Sequence, residues 1–129
     1  MMYAAIIAIL TGDADVLLLV AQRIEPGFIR QDPELPCISY LRQGGDRPVS
    51  QSGSSNLDDA TYQLDCWAAT YAKANELGAA VRNAFQGYQG TAGGVVIQGA
   101  FVEADSDAYE DAPDLWRLRI EINIWGEEE

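Results

Sequence analysis

The residue types that most often carry out catalysis or bind metal ions are scarce in this sequence. It has no histidine, a single lysine (Lys73), and two cysteines, Cys37 and Cys66, which lie far apart. Without histidine, neither a Ser-His-Asp or Cys-His nucleophilic site nor a Cys/His zinc site can form. Lys73 is predicted on the exposed side of a helix near its start, which is a poor position for a catalytic amine.

Carboxylates are the remaining candidates for chemistry, and six of them cluster near the C-terminus. They are Glu103, Asp105, Asp107, Glu110, Asp111 and Asp114. Counted from Asp105, a helix–loop–helix calcium site needs Gly at position six and Glu at position twelve, where this chain has Glu110 and Trp116. Residues 90–94 are rich in glycine but lack the spacing of a phosphate-binding loop. We therefore predict a solvated charge run and no catalytic, metal-binding or cofactor-binding residue, with carboxylate acid–base chemistry left open.

The clearest local pattern is a strand followed by a helix in residues 59–88. Apolar and polar residues alternate around Tyr62, Leu64 and Cys66, which is the period of a half-buried strand. A helix is predicted over about residues 70–87, with Thr70 as its N-cap and Gly87 as its stop. Its apolar face has the spacing i, i+4, i+7, i+8 and i+11 and comprises Leu77, Val81, Ala84, Phe85 and Tyr88.

The rest of the chain adds two short helices, residues 1–10 and 13–21, and three more strands. Residues 43–58 are rich in Gly, Ser and polar residues and are predicted to form a long exposed loop. Residues 95–126 are predicted to form a C-terminal hairpin joined by an acidic connection over residues 105–114. We therefore predict a single α+β domain over residues 1–129, with a mainly antiparallel four-stranded sheet and helices packed on one face.

Composition limits the classes of partner. The net charge is −12, which argues against affinity for nucleic acid because phosphate binding needs clustered Lys and Arg. No apolar run approaches the ~20 residues of a membrane-spanning helix, so no membrane association is predicted. Cys37 and Cys66 are predicted to be buried free thiols; a disulfide would require neighbouring strands in the right register.

Candidate partner-binding residues fall in three places: the long loop, the acidic run and the polar side of the last strand. They are Arg47, Val49, Ser52, Asn56, Asp105, Asp107, Arg117, Arg119 and Trp125. Loops as long as residues 43–58 are uncommon in compact domains and often functional, although a simple spacer is the alternative. Trp125 is expected either to be covered by the chain's own tail or to meet another subunit.

Several short sequence motifs, taken in their order along the chain, resemble those of the tail-completion (head–tail joining, tail terminator-like) proteins of tailed bacteriophages. The motifs are Arg23-Ile-Glu-Pro26, Leu35-Pro36, Ile38-Ser-Tyr-Leu-Arg42, Tyr62-Gln-Leu-Asp-Cys-Trp67-Ala, Thr70-Tyr-Ala-Lys-Ala74 and Leu115-Trp-Arg117. One departure is Glu25, where the family usually has an aromatic residue.

The resemblance implies a structural virion protein, not an enzyme, made in the host bacterial cytoplasm. Such proteins assemble as a homo-oligomeric, hexameric ring at the head-proximal end of the tail. They contact the tail-tube protein and the head connector or stopper protein, and DNA passes through without specific binding.

Two other classes of function fit the residues. A monomeric or dimeric adaptor would present one compact apolar patch instead of two opposed surfaces. A small carboxylate-based enzyme or binding domain would place a carboxyl group in a cleft and raise its pKa strongly.

Overall fold

A computed structural model describes residues 2–27, 34–46, 49–50, 53–54, 57–110 and 115–128. The helices are α1 (Met2–Gly12), α2 (Ala14–Val20) and α3 (Tyr71–Phe85). The strands are β1 (Ile24–Pro26), β2 (Cys37–Asp46), β3 (Val49–Ser50), β4 (Gly53–Ser54), β5 (Leu57–Ala68), β6 (Gly90–Ala92), β7 (Val95–Glu110) and β8 (Leu115–Glu128).

Six of these strands form one mixed sheet, which curls into a half-barrel. Their order is β1-β2-β5-β8-β7-β6, with β1 parallel to β2 and every other neighbour antiparallel. β3 and β4 form a separate two-stranded ribbon between β2 and β5.

The predicted four-stranded sheet is therefore wrong, although the α+β class holds. The missed strands β1 and β6 have three residues each, too few to show an alternating pattern. β1 is a strand because it lies beside residues 38–40 of β2, and β6 because it lies beside residues 95–97 of β7. Both strands depend on pairing with residues that the local pattern does not reveal.

The strands also extend into segments where the composition predicted loops. β2 continues to Asp46 and β5 begins at Leu57, so the predicted loop at residues 43–58 contains strand residues at both ends. β7 continues to Glu110, so four of the six clustered carboxylates lie on a strand. Long ladders with β5 and β8 supply the pairing that Gly-rich and acidic stretches do not favour by themselves. β2 and β7 also contain register shifts, at residues 42–44, 97–99 and 102–104, which interrupt the regular alternation.

The hydrophobic core lies between the sheet and the three helices. Leu77, Val81 and Phe85 of α3 are fully buried, as are Ile120, Ile122 and Ile124 of β8. Burial of each such side chain contributes about 1.5–3 kcal/mol. Thr70 caps α3 by accepting a hydrogen bond from the Lys73 N–H, and Gly87 has a φ of +75° just after the helix. Both features agree with the sequence-based expectation.

Among the described residues, no single helix is long and apolar enough to cross a membrane. α1 and α2 pass that test only when taken together, and they are bent by 89° relative to each other.

Candidate functional site

The sheet has one face covered by the helices and one that is not, and we call the second the open face. On the open face, Ser39, Asp65 and Arg119 are aligned across β2, β5 and β8. Arg119 Nε donates to Asp65 Oδ1 at 2.9 Å, and Gln63 Nε2 donates to Asp65 Oδ2 at 3.1 Å. Asp65 is only 6% exposed, so this carboxylate depends on those donors for its hydrogen bonds.

Arg117 also pairs within the chain. Its guanidinium lies 3.0 Å from Glu110 Oε1 and 5.8 Å from the centre of the Trp67 ring. Trp67 in turn donates from Nε1 to Ser39 Oγ at 3.1 Å. Arg117 and Arg119, proposed from the sequence as partner-binding residues, thus both have partners in the same chain.

Trp125 lies on the open face, as its position in the alternation predicts. Its ring meets the Phe101 ring edge to face, with centroids 5.8 Å apart. The indole also lies against Gly99 so closely that a β-carbon there would overlap it. Trp125 is therefore partly covered by β7, and Phe101 beside it remains exposed.

Asp105 and Asp107 point to the helix-covered side of the sheet, at its edge. Arg82 of α3 pairs with Asp105 at 2.6 Å, and the Tyr71 hydroxyl donates to Asp107 at 2.8 Å. The hydrogen bond to the Asp107 carboxylate raises the pKa of Tyr71 above its usual value, because ionised Tyr71 could not donate it. These acids therefore connect β7 to α3.

Three aromatic rings form a cluster at the start of α3, which we call the aromatic triad: Tyr71, Tyr109 and Trp116. Trp116 lies between the two tyrosines, with ring centroids 5.0 Å from each. Tyr71 and Tyr109 remain 48% and 46% exposed. From the sequence, Tyr71 reads as a core or boundary aromatic, and only the pairing of Tyr109 with Trp116 across β7 and β8 shows the cluster.

The two long hairpins of the sheet end on opposite sides of the molecule. In the β5–β8 ladder, Leu57 pairs with Glu127 at one end and Ala68 pairs with Trp116 at the other. β2 ends and β5 begins at the first of these ends. β7 ends and β8 begins at the second, beside the aromatic triad.

Not all of the sequence-predicted candidates can be placed. Arg47, Ser52 and Asn56 lie outside the described residues, and of Val49 only the backbone is described, in β3. The structure brings Asp105, Asp107 and Arg117 to the β7–β8 end, whereas Trp125 lies toward the other end of β8.

The two cysteines are free and lie on opposite faces. Cys66 is in the main core, whereas Cys37 packs with Trp67 and Leu115 on the open face. Burial raises the pKa of Cys37 to about 11, with Glu25 adding to the rise and Arg23 opposing it. Burial also raises the pKa of Cys66.

A cavity of about 210 Å³ lies between α1 and α3 and contains one carboxylate, that of Asp13. Asp13 is the N-cap of α2 and accepts hydrogen bonds from the Asp15 and Val16 N–H groups. Within the described ranges, no group of three or more His, Cys, Asp or Glu residues could hold a metal ion.

The chain matches the sequence model of the family described as tail completion protein gp17, over residues 4–127. The chain belongs to the tail completion protein family. Among solved structures, it is similar to a chain from the virion of a native gene transfer agent particle, with a TM-score of 0.66 and 19% identity. That match covers 96% of this chain and 92% of the other, and at this identity it shows a shared fold. No curated protein matches the chain.

Family membership confirms the resemblance inferred from the short sequence motifs. This tail completion protein is a structural component of a phage-type virion and acts in completing the tail.

Proposed function

We propose that the chain assembles into a closed ring of six copies at the head-proximal end of the tail. There it ends growth of the tail tube and provides the surface that meets the head connector or stopper protein. DNA passes through the ring without specific binding, and the protein has no catalytic role.

The observation that most supports this function is the opposition of the two hairpin ends. β2 ends and β5 begins at one end of the sheet, and β7 ends and β8 begins at the other, beside the aromatic triad. A protein that joins two different structures needs unlike surfaces facing opposite ways. The two ends of this sheet differ in composition and charge, as such a role requires.

A head-to-tail ring also needs two unlike sides on each copy. The sheet begins with the short parallel strand β1 and ends with the short antiparallel strand β6. Each short strand leaves part of the longer strand beside it without a strand partner among the described residues. A contact between the β1 side of one copy and the β6 side of the next therefore joins two different surfaces. The ring closes when the rotations between neighbouring copies add up to a full turn.

The net charge of −12 supports free passage of DNA. Acidic residues near the passage repel phosphate over about one Debye length, ~8 Å at physiological salt.

The oligomeric state tests the ring directly. We expect native mass measurement to detect a closed oligomer, six copies in size, either in the purified protein at high concentration or on addition of tail-tube protein. A strictly two-fold dimer that persists with tail-tube protein present contradicts the ring and supports the adaptor function.

The end at which β2 stops and β5 begins can be tested separately. We expect replacement of Val49–Asn56 by a short turn to preserve cooperative unfolding, because the ladder from β2 to β5 is retained, and to abolish head–tail joining. A matched control keeps the length and replaces only Ser50 and Ser54 by alanine. Infectious particles from the shortened protein would show that the segment is a spacer.

A further inference from the structure

We propose that the β7–β8 end is a docking site for a basic, extended segment of another virion protein, which adds to the sheet as a strand beside residues 103–110 of β7. This inference rests on the proposed function, because it gives a partner to one of the two ends. It goes further by specifying the chemistry of that partner and its mode of binding.

The first support is an unpaired strand edge. β6 pairs only with residues 95–97 of β7. Residues 98, 100 and 102 are then covered by the chain that follows α3. Gln89 Nε2 and the Gly87 N–H donate to the carbonyl groups of residues 98 and 100, and the Val102 N–H donates to Gln86 Oε1. Beyond residue 102, no strand in the described part of the chain pairs with the outer edge of β7. An edge of this length is a template for another strand.

The register identifies which backbone N–H and C=O groups of β7 are available to pair with an added strand. Before the register shift at residues 102–104, the even-numbered residues direct their N–H and C=O groups outward, as the contacts at 98, 100 and 102 show. The extra residue reverses this parity. Asp105, Asp107 and Tyr109 therefore present their backbone groups outward, beside an exposed aromatic surface.

The aromatic triad is the second support. Tyr71 and Tyr109 are about half exposed, yet both are held in place by contact with Trp116, edge to face for Tyr71 and tilted for Tyr109. Rigid, partly exposed aromatic side chains lose little conformational entropy on binding and are typical of the residues that dominate protein interfaces. A strand added at β7 would place its alternate side chains next to Tyr109.

Charge specifies the partner. Asp105 and Glu110 are paired with Arg82 and Arg117, but within the described residues no basic side chain pairs with Glu103 or Asp107. Lys or Arg side chains on an incoming strand would meet these carboxylates and also stack on the exposed tyrosines.

A second copy of this chain is a poor source of that positive charge. Of its eight basic residues, six lie in the described ranges, and all six already have partners. Only Arg30 and Arg47 remain; Arg47 directly follows Asp46, and Arg30 lies two residues before Asp32 in the sequence. The net charge of −12 also makes contact between two such ends repulsive. The basic segment must therefore belong to a different protein.

Photo-crosslinking in assembled particles tests this assignment. Tyr109 is replaced by p-benzoylphenylalanine, which keeps an aromatic ring at the position. Tyr3 of α1, which is equally exposed at 47%, receives the same group as a matched control. We expect the Tyr109 probe to form a cross-link to a segment of another virion protein that is rich in Lys or Arg, and the Tyr3 probe not to reach that segment.

Each other result contradicts the docking site. Cross-linking of Tyr109 to a second copy of this chain would make the edge a ring contact, and cross-linking to DNA would make it a lining of the passage. Absence of a cross-link in joined particles would leave the end solvated. All three outcomes leave the tail-completion function intact, whereas failure of the proposed function would appear as joined particles that lack this protein.

A solution measurement provides a second readout. An eight-residue peptide of alternating lysine and valine is titrated against the full chain at low salt. We expect Asp107→Asn and Glu103→Gln each to weaken binding by about two- to fivefold, while the control Glu76→Gln on α3 has no effect. Equal affinity for all variants would overturn the assignment.

Discussion

At the residue scale, the ion pairs of this tail completion protein differ mainly in burial. Asp65 is buried and accepts hydrogen bonds from Arg119 and Gln63, so it has little access to water. Lys73 and Glu76 form a pair on α3 in which both side chains are more than half exposed. Solvent screens the second pair far more than the first, and the cost of removing each partner should differ accordingly.

We expect Arg119→Met to lower the free energy of unfolding by about 1–3 kcal/mol, because it leaves a buried carboxylate short of a charged donor. Lys73→Met, the matched control, should change it by less than about 0.5 kcal/mol. Urea denaturation followed by circular dichroism measures both. Similar small effects would show that Asp65 is adequately hydrated, and an assembly defect without loss of stability would place Arg119 at a subunit contact.

The thiols provide a prediction about pH. The pKa of Cys37 is about 11 in the folded protein against an ordinary value of 9.0, so the unfolded state loses this proton first. The stability due to burial of the neutral thiol is therefore complete below pH 9 and is lost as the pH rises from about 9 to about 11.

Alkylation by iodoacetamide tests the same burial. In the native protein at pH 8 we expect slow labelling of Cys37 and none of Cys66, whereas both should react rapidly in urea. Mass spectrometry counts the labels. Equal rates in the native and unfolded protein would contradict the burial of the two thiols.

At the scale of elements, the close contact between α3 and β8 depends on Gly78. A β-carbon at this position would overlap the end of the Leu118 side chain, which is itself buried. Glycine inside a helix costs about 1 kcal/mol relative to alanine, so its presence here reflects the space available.

We expect Gly78→Ala to destabilise the protein by about 1–3 kcal/mol despite its better helix propensity, because Leu118 must leave its packed position. Adding Leu118→Val, which removes the overlapping atom, should recover part of that loss, and a double-mutant cycle measures the coupling. Additive effects of the two substitutions would show that Leu118 moves aside at little cost.

At the scale of the whole molecule, the net charge of −12 governs contact with nucleic acid. Nonspecific DNA binding depends on several Lys or Arg side chains contacting phosphates. Here the described basic residues are already engaged by the chain itself. The proposed function requires such a surface, because DNA must pass the ring without being held.

We therefore expect no retardation of double-stranded DNA in a mobility shift assay with up to about 100 μM protein in low salt, where nonspecific binders are retarded. The control is a variant in which Glu103, Asp105, Asp107 and Glu110 are all changed to lysine. Salt-sensitive retardation by the unmodified protein would contradict free passage.

Elements whose burial repeats with a regular period could be predicted from the sequence alone. The helical spacing of its apolar residues predicted α3, and the alternation of apolar and polar residues over many positions predicted β5 and β8. The order of the short sequence motifs was also sufficient to indicate the family, which the match over residues 4–127 confirms.

The tertiary structure alone decided the number of strands, their true lengths and the composition of the β7–β8 end. β1 and β6 exist through pairing, and acidic residues 105–110 extend β7 because β8 lies beside them. The aromatic triad joins residues from α3, β7 and β8, and Asp105 finds its partner on α3. Local periodicity reports which side of an element is buried, but pairing and side-chain contacts depend on residues distant in the chain, which only the folded arrangement brings together.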